Sequence, residues 1–163
     1  MDTPTPMADD QLVLVIAADD TWLHAGTASE VLGHAQEHRQ QPSEPSAGAP
    51  APLTGKVLDF FDDHGERLLP LVDGRLEVCG FAGGGGQVDP AVLRARIDTV
   101  LDRAQAHLER HPGGAGAGYP AMKSVPRPSG DLPEVIASLR LSVTESAHGH
   151  SAGWFHNLLH ALG

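Results

Sequence analysis

The sequence predicts an α+β fold, with a mainly antiparallel four-stranded sheet packed by about four helices. Two observations indicate this class. The predicted order is strand, helix, three strands and three helices, and such segregation disfavours a doubly wound parallel sheet. Turn signals typical of antiparallel neighbours separate the last three strands, so the sheet is one N-terminal strand plus a three-strand meander. A length of 163 residues, 40% of them hydrophobic, predicts a single domain with one core.

The first strand and the first helix follow from an apolar run and a capping motif. Residues 12–17 read Leu-Val-Leu-Val-Ile-Ala, and three of them are β-branched. Such a run is typical of a strand that is buried on both faces. Thr27 and Glu30 have the spacing of a capping box, in which each side chain accepts a hydrogen bond from the other residue's backbone N–H. A helix is therefore predicted over residues 28–40.

The meander is predicted from three apolar segments separated by turn residues. Residues 63–66 form the first turn, and Asp73-Gly74 is a two-residue hairpin signal. Pro70 removes a ladder donor, which marks the middle strand as an edge strand or an interrupted one. Cys79 lies in the third apolar segment and is predicted to be a small core residue. The predicted strands are residues 56–62, 67–72 and 75–81.

Three helices are predicted in the second half of the chain. Asp89 supplies an N-cap with Pro90 at the first helical position, and Asp131 with Glu134 gives a second cap signal. The glycines at 83–86 lack the Walker and Rossmann spacings, so they are expected to be a flexible joint and not a phosphate cradle. The predicted helices are residues 90–111, 132–141 and 152–162.

Two segments inside the predicted domain, which spans residues 1–163, are expected to be loops. Residues 41–53 contain four prolines, which remove backbone donors and predict a linker. Residues 112–130 are rich in glycine and proline and show no hydrophobic periodicity.

The charge balance argues against two classes of partner. The formal net charge is −10 and no run of Lys or Arg occurs, so the chain lacks the positive surface that nucleic acids and anionic membranes require. No segment has the length and flanks of a signal peptide or a membrane span. A single cysteine excludes an intramolecular disulfide. These features predict a cytoplasmic protein, and nine Arg against two Lys is typical of a GC-rich bacterial genome.

The last sixteen residues hold the densest chemistry in the sequence. His156 and His160 are four residues apart, so in a helix they share one face, opposite the apolar residues of the predicted last helix. With His148 and His150 they are numerous enough for a mononuclear zinc, nickel or copper site, to which Glu145 could add a carboxylate. The favoured interpretation is nevertheless that these histidines form a solvated polar face and bind no cofactor, and the metal site is the alternative.

Residues 149–153, Gly-His-Ser-Ala-Gly, match the G-x-S-x-G pattern. This pentapeptide resembles the nucleophile elbow of the α/β-hydrolase family, in which a tight strand-to-helix turn presents the serine hydroxyl. The resemblance implies an acyl-transfer enzyme with Ser151 as the nucleophile. In that family an acid and then a histidine follow the serine, whereas the twelve residues after Ser151 contain no Asp or Glu. A serine hydrolase is therefore the third alternative, after a partner-binding protein and a metal-binding protein.

Trp22 and Trp154 are the only tryptophans in the sequence. Each is expected to anchor the core, and the alternative is an aromatic hot spot for a partner. The sequence holds no complete catalytic constellation and no cofactor motif, while an interrupted edge strand offers a surface for pairing. The favoured interpretation is a small non-enzymatic accessory protein that binds a protein partner or forms a homo-oligomer.

Overall fold

The computed structural model of the chain describes residues 4–33, 57–110, 125 and 127–144. The strands formed by these residues are β1 (Leu12–Ala17), β2 (Leu23–Thr27), β3 (Leu58–Asp62), β4 (Leu69–Val72) and β5 (Val78–Ala82). Their helices are α1 (residues 28–33), α2 (Pro90–Arg110) and α3 (Leu132–Thr144). The predicted α+β class is confirmed, although the numbers and pairing of the strands differ from the prediction.

β1 is the centre of a three-stranded antiparallel sheet with the order β2-β1-β3. Leu14 lies opposite Ala25 of β2 on one side and opposite Phe61 of β3 on the other. Five of the six residues of β1 are buried, as the apolar run predicts. Because the strand is apolar at every position, it is most stable with a neighbour on each edge and a packed layer on its faces.

β2 is a strand that the sequence pattern did not indicate. Its five residues include a glycine and a histidine and show no alternation, yet four of them are buried. A tight turn returns the chain to β1: Asp19 Oδ1 accepts hydrogen bonds from the backbone N–H and the hydroxyl of Thr21, and Asp20 adopts a φ of 56°. Pairing with β1 therefore outweighs a weak local preference for the extended conformation.

The prediction of one meander was wrong. β3 pairs with β1 along its whole length, and β4 and β5 form a separate two-stranded antiparallel sheet, which we call the β4–β5 hairpin. A bridge between Phe61 and Arg67, and a hydrogen bond from the Leu68 N–H to the Phe60 carbonyl, connect β3 to the residues just before β4. β1, with five of its six residues buried, offers β3 a longer apolar partner than β4 does.

A β-bulge places Cys79 differently from the prediction. Leu71 lies opposite Gly80 and Val72 lies opposite Val78, so β5 advances two residues while β4 advances one. Cys79 is the additional residue of this bulge. Its thiol is exposed and donates a 3.5 Å hydrogen bond to the Leu71 carbonyl. The prediction of a core cysteine was therefore wrong, because the bulge turns that residue out of the strand's alternation.

Each of the three described helices begins at its predicted cap. A cap oxygen accepts a backbone N–H that the first turn of a helix leaves unpaired. At α2 the Ala91 N–H donates to Asp89 Oδ1 over 2.8 Å. The other two caps are reciprocal capping boxes, formed by Thr27 with Glu30 and by Asp131 with Glu134. Local signals in the sequence thus determine where the helices start.

The ends of α2 and α3 lie close to their predicted positions, and the predicted end of the first helix at residue 40 lies outside the described residues. α2 ends at Arg110, one residue before the prediction, and α3 continues to Thr144, three residues beyond it. The predicted helix over residues 152–162 and the linker over 41–53 lie outside the described residues, as does most of 112–130.

The core is a cluster of buried aliphatic side chains with two buried phenylalanines, Phe61 and Phe81. β1 supplies its centre, and both long helices contribute one apolar stripe each. The residues of the two stripes are Leu93, Ile97, Val100, Leu101 and Ala104 of α2, and Leu132, Val135, Ile136 and Leu139 of α3. In the part of the chain that the structure describes, neither helix is long and apolar enough to cross a membrane.

Candidate functional site

Most of the residues singled out from the sequence lie outside the described part of the chain. They are Ser151, Trp154, Glu145, His148, His150, His156 and His160. Their roles as nucleophile, aromatic contact and metal ligands stay predictions. Among the residues that are described, no group of three or more His, Cys, Asp or Glu side chains is placed to hold a metal ion.

Trp22 is placed in the core. It is 3% exposed, and its indole stacks almost parallel to the imidazole of His24, with ring centroids 6.2 Å apart and planes inclined by 12°. His24 is itself buried. This pair packs the start of β2 into the core. Trp22 therefore anchors the core, as the sequence predicts. A role of Trp22 in partner binding stays a prediction.

The glycine run before α2 forms a hydrogen-bonded corner. The Gly84 N–H donates to Glu66 Oε1 over 2.9 Å, and the Gly85 N–H donates to the Arg67 carbonyl over 3.0 Å. The Arg67 N–H donates in turn to the Gly86 carbonyl over 2.8 Å. Because a carboxylate already accepts a backbone N–H of the run and would repel a second anion, this corner does not resemble a phosphate site. The segment that was predicted to be a flexible joint is instead held by these three hydrogen bonds, because residues just before β4 accept and donate to its backbone.

The turn at residues 62–66 is built around one carboxylate. Asp62 Oδ1 accepts the backbone N–H groups of His64 and Glu66 over 2.9 and 2.8 Å. The backbone closes the loop through a 3.0 Å bond from the Asp62 N–H to the Glu66 carbonyl. Gly65 takes the left-handed conformation with a φ of 87°. Glycine suits this position because it adopts positive φ without steric cost.

The turn at residues 73–77 repeats this geometry in the β4–β5 hairpin. Asp73 Oδ1 accepts the N–H groups of Arg75 and Glu77 over 2.8 and 3.0 Å, and the Asp73 N–H donates to the Glu77 carbonyl over 2.9 Å. Leu76 occupies the left-handed position with a φ of 63°. The hairpin at Asp73-Gly74 is confirmed, but its loop has five residues and not two, so β5 begins at Val78 and not at residue 75.

Leu76 combines two unfavourable properties. A left-handed conformation costs a residue with a Cβ about 1–2 kcal/mol, and the side chain is 84% exposed to water. The matching position of the other turn is Gly65, which avoids both costs. The sequence interpretation missed Leu76 because it placed the residue inside a strand. The signal that was available is the repeated spacing Asp-x-x-x-Glu, at 62–66 and again at 73–77.

Apolar side chains are exposed along the β4–β5 hairpin. Five large hydrophobic residues are exposed in the described part of the chain, and the three that belong to the hairpin are Leu69, Val72 and Leu76. We call these three residues the hairpin surface. Single exposed hydrophobic residues are ordinary. Leu69 and Val72 are three residues apart in β4 and so lie on opposite faces of the hairpin, and Leu76 lies at its tip, so apolar area is exposed on both faces and at the tip.

The base of the hairpin is anchored while its tip extends away from the core. At the base, Phe81 and Ala82 of β5 are buried, and the rings of Phe60 and Phe81 lie 5.0 Å apart. The Met7 N–H donates to the Phe81 carbonyl over 2.7 Å. All five residues of the turn at 73–77 are exposed, as is Leu69 at the base. An anchored base holds the apolar tip in one orientation, which lowers the entropy lost when a partner binds.

Pro70 limits the way in which a partner can approach β4. Phe81 directs its carbonyl to Met7, so its backbone polar groups face away from β4. Pro70 lies opposite Phe81. In an antiparallel pair, two opposite residues whose polar groups do not face each other both direct them outward, so the backbone of Pro70 faces the outer edge of β4. Proline has no N–H, which confirms the predicted edge strand and removes a donor from its open side. Contact through side chains is therefore favoured over the addition of a strand.

An ion-paired arginine connects α2 to the three-stranded sheet. Arg96 of α2 donates to Asp20 Oδ1 over 2.7 Å, to Asp59 Oδ2 over 3.2 Å and to the Ala17 carbonyl over 3.0 Å. All three side chains of this cluster are at least two-thirds buried. One guanidinium thus joins α2 to the β1–β2 turn and to β3.

A second ion pair joins α1 to α3. Arg140 of α3 donates to both carboxylate oxygens of Glu30 over 3.0 and 2.9 Å. The hydrogen bond from Arg140 holds the pKa of Glu30 below its ordinary value, and the capping bonds with Thr27 act in the same direction. The same carboxylate therefore caps α1 and ties it to α3.

No known protein family, curated protein or solved structure matches this chain. The functional interpretation accordingly depends on the geometry of the described residues alone.

Proposed function

We propose that this chain is a non-enzymatic, cytoplasmic protein-binding module that contacts its partner through the hairpin surface. The observation that carries the proposal is the exposure of Leu69, Val72 and Leu76 on an element whose base is anchored in the core. Fully burying one such side chain is favourable by about 1.5–3 kcal/mol. A partner that covers this surface gains that free energy with little loss of conformational freedom.

The polar groups near the hairpin support a structural function for this region. The carboxylates of Asp62, Asp73 and Glu66 each accept backbone N–H groups and so hold the turns and the glycine corner in place. Their use in the backbone geometry favours a binding surface over a reaction centre. The exposed thiol of Cys79 on the same hairpin supports a reducing compartment such as the cytoplasm.

The experiment compares the full chain with two variants in the cells that make it. Val72→Asp with Leu76→Asp places two charges on the hairpin surface, and Val92→Asp is the control because Val92 of α2 is 53% exposed while Val72 is 52% exposed. Complexes are fixed by cross-linking, identified by mass spectrometry and confirmed by reciprocal capture. We expect the wild-type chain and Val92→Asp to form the same complex and the double variant to lose it.

Two results would contradict the proposal. One is a wild-type chain that stays monomeric with no reciprocally confirmed partner, and the other is a complex that the double variant retains. Native mass spectra of the same samples also test the alternative prediction, since zinc, nickel or copper bound through His148, His150, His156 and His160 adds a defined mass.

A further inference from the structure

We draw no further inference here: the strongest candidate, the exposed apolar tip of the β4–β5 hairpin at Leu76, belongs to the surface already described, and nothing in the described part of the chain shows what covers it.

Discussion

The turns at 62–66 and 73–77 use one pattern of hydrogen bonds in two different settings. In each, an aspartate oxygen accepts two backbone N–H groups and a residue with positive φ follows. At the first turn a Cβ on Gly65 would lie 2.8 Å from the Val88 carbonyl, whereas Leu76 of the second turn points to solvent. The surroundings of a turn, and not its backbone geometry, therefore decide which residue the left-handed position accepts.

The largest expected effect is at Gly65. Gly65→Ala adds a methyl group against the Val88 carbonyl, which belongs to the backbone and cannot move freely, and it also strains a φ of 87°. We expect the free energy of unfolding to fall by about 2–4 kcal/mol. Urea denaturation measures the change. A loss below about 1 kcal/mol, the cost of a left-handed residue alone, would show that the two turns have equivalent surroundings.

Replacement of Asp62 and of Asp73 by alanine should lower stability by different amounts, because the hydrogen bonds of the two turns differ in burial. Asp62→Ala leaves the partly buried Glu66 N–H without its acceptor, and we expect a loss of about 1.5–3 kcal/mol. Asp73→Ala exposes its two N–H groups to water, and we expect a loss of about 0.5–1 kcal/mol. Thermal and urea unfolding of both variants test the order. Equal losses, or a larger loss for Asp73→Ala, would contradict it.

Leu76→Gly should be stabilising, which is unusual for the loss of an apolar side chain. Relief of the left-handed strain is partly offset by the greater freedom of glycine in the unfolded chain, so we expect a gain of about 0.5–1 kcal/mol. Thermal and urea unfolding of the variant and the wild type measure this effect. A decrease in stability would show that Leu76 makes contacts within its own chain.

The smallest effect serves as a reference outside both turns. Glu30→Gln keeps an acceptor for the cap but removes the charge that pairs with Arg140, and for a pair more than one-third exposed we expect a loss of about 0.5 kcal/mol near pH 7. Because the pKa of Glu30 is lowered in the folded chain, this contribution is fully present above its ordinary value of 4.5 and is lost as pH falls through the lowered pKa. Unfolding curves of both proteins should therefore converge in acid. A difference that persists at low pH would assign the effect to the cap.

Local signals predicted much of the fold. The run Leu-Val-Leu-Val-Ile-Ala and the caps at Thr27, Asp89 and Asp131 act within one element, so the strand β1 and the starts of all three described helices were predicted correctly. β2 was missed because its conformation depends on pairing with β1. The pairing of β3 with β1 was missed for the same reason. A local turn signal indicates where the chain reverses, but not which of two strands a segment pairs with.

The candidate site was less predictable. Pro70 indicated an edge strand from its chemistry alone, and the hairpin confirms it. Leu76 and Cys79 both looked like strand residues, yet a five-residue loop and a bulge turned them outward. The exposure of Leu76 depends on the length of the loop, and that of Cys79 on the extra residue of the bulge. A shift of one residue in a strand reverses which side chains are buried.

The three hydrogen bonds of Arg96 also bear on how the chain assembles. They span 76, 37 and 79 residues of sequence, so one guanidinium closes three long loops at once. Arg96 forms all three bonds only after the β1–β2 turn, β3 and α2 have come together. At that stage the chain has already lost the conformational entropy that loop closure requires. Before that point Asp20 and Asp59 are two like charges that oppose docking. Arg96 therefore couples distant parts of the chain into one folding transition, since none of these contacts is fully stabilised without the others.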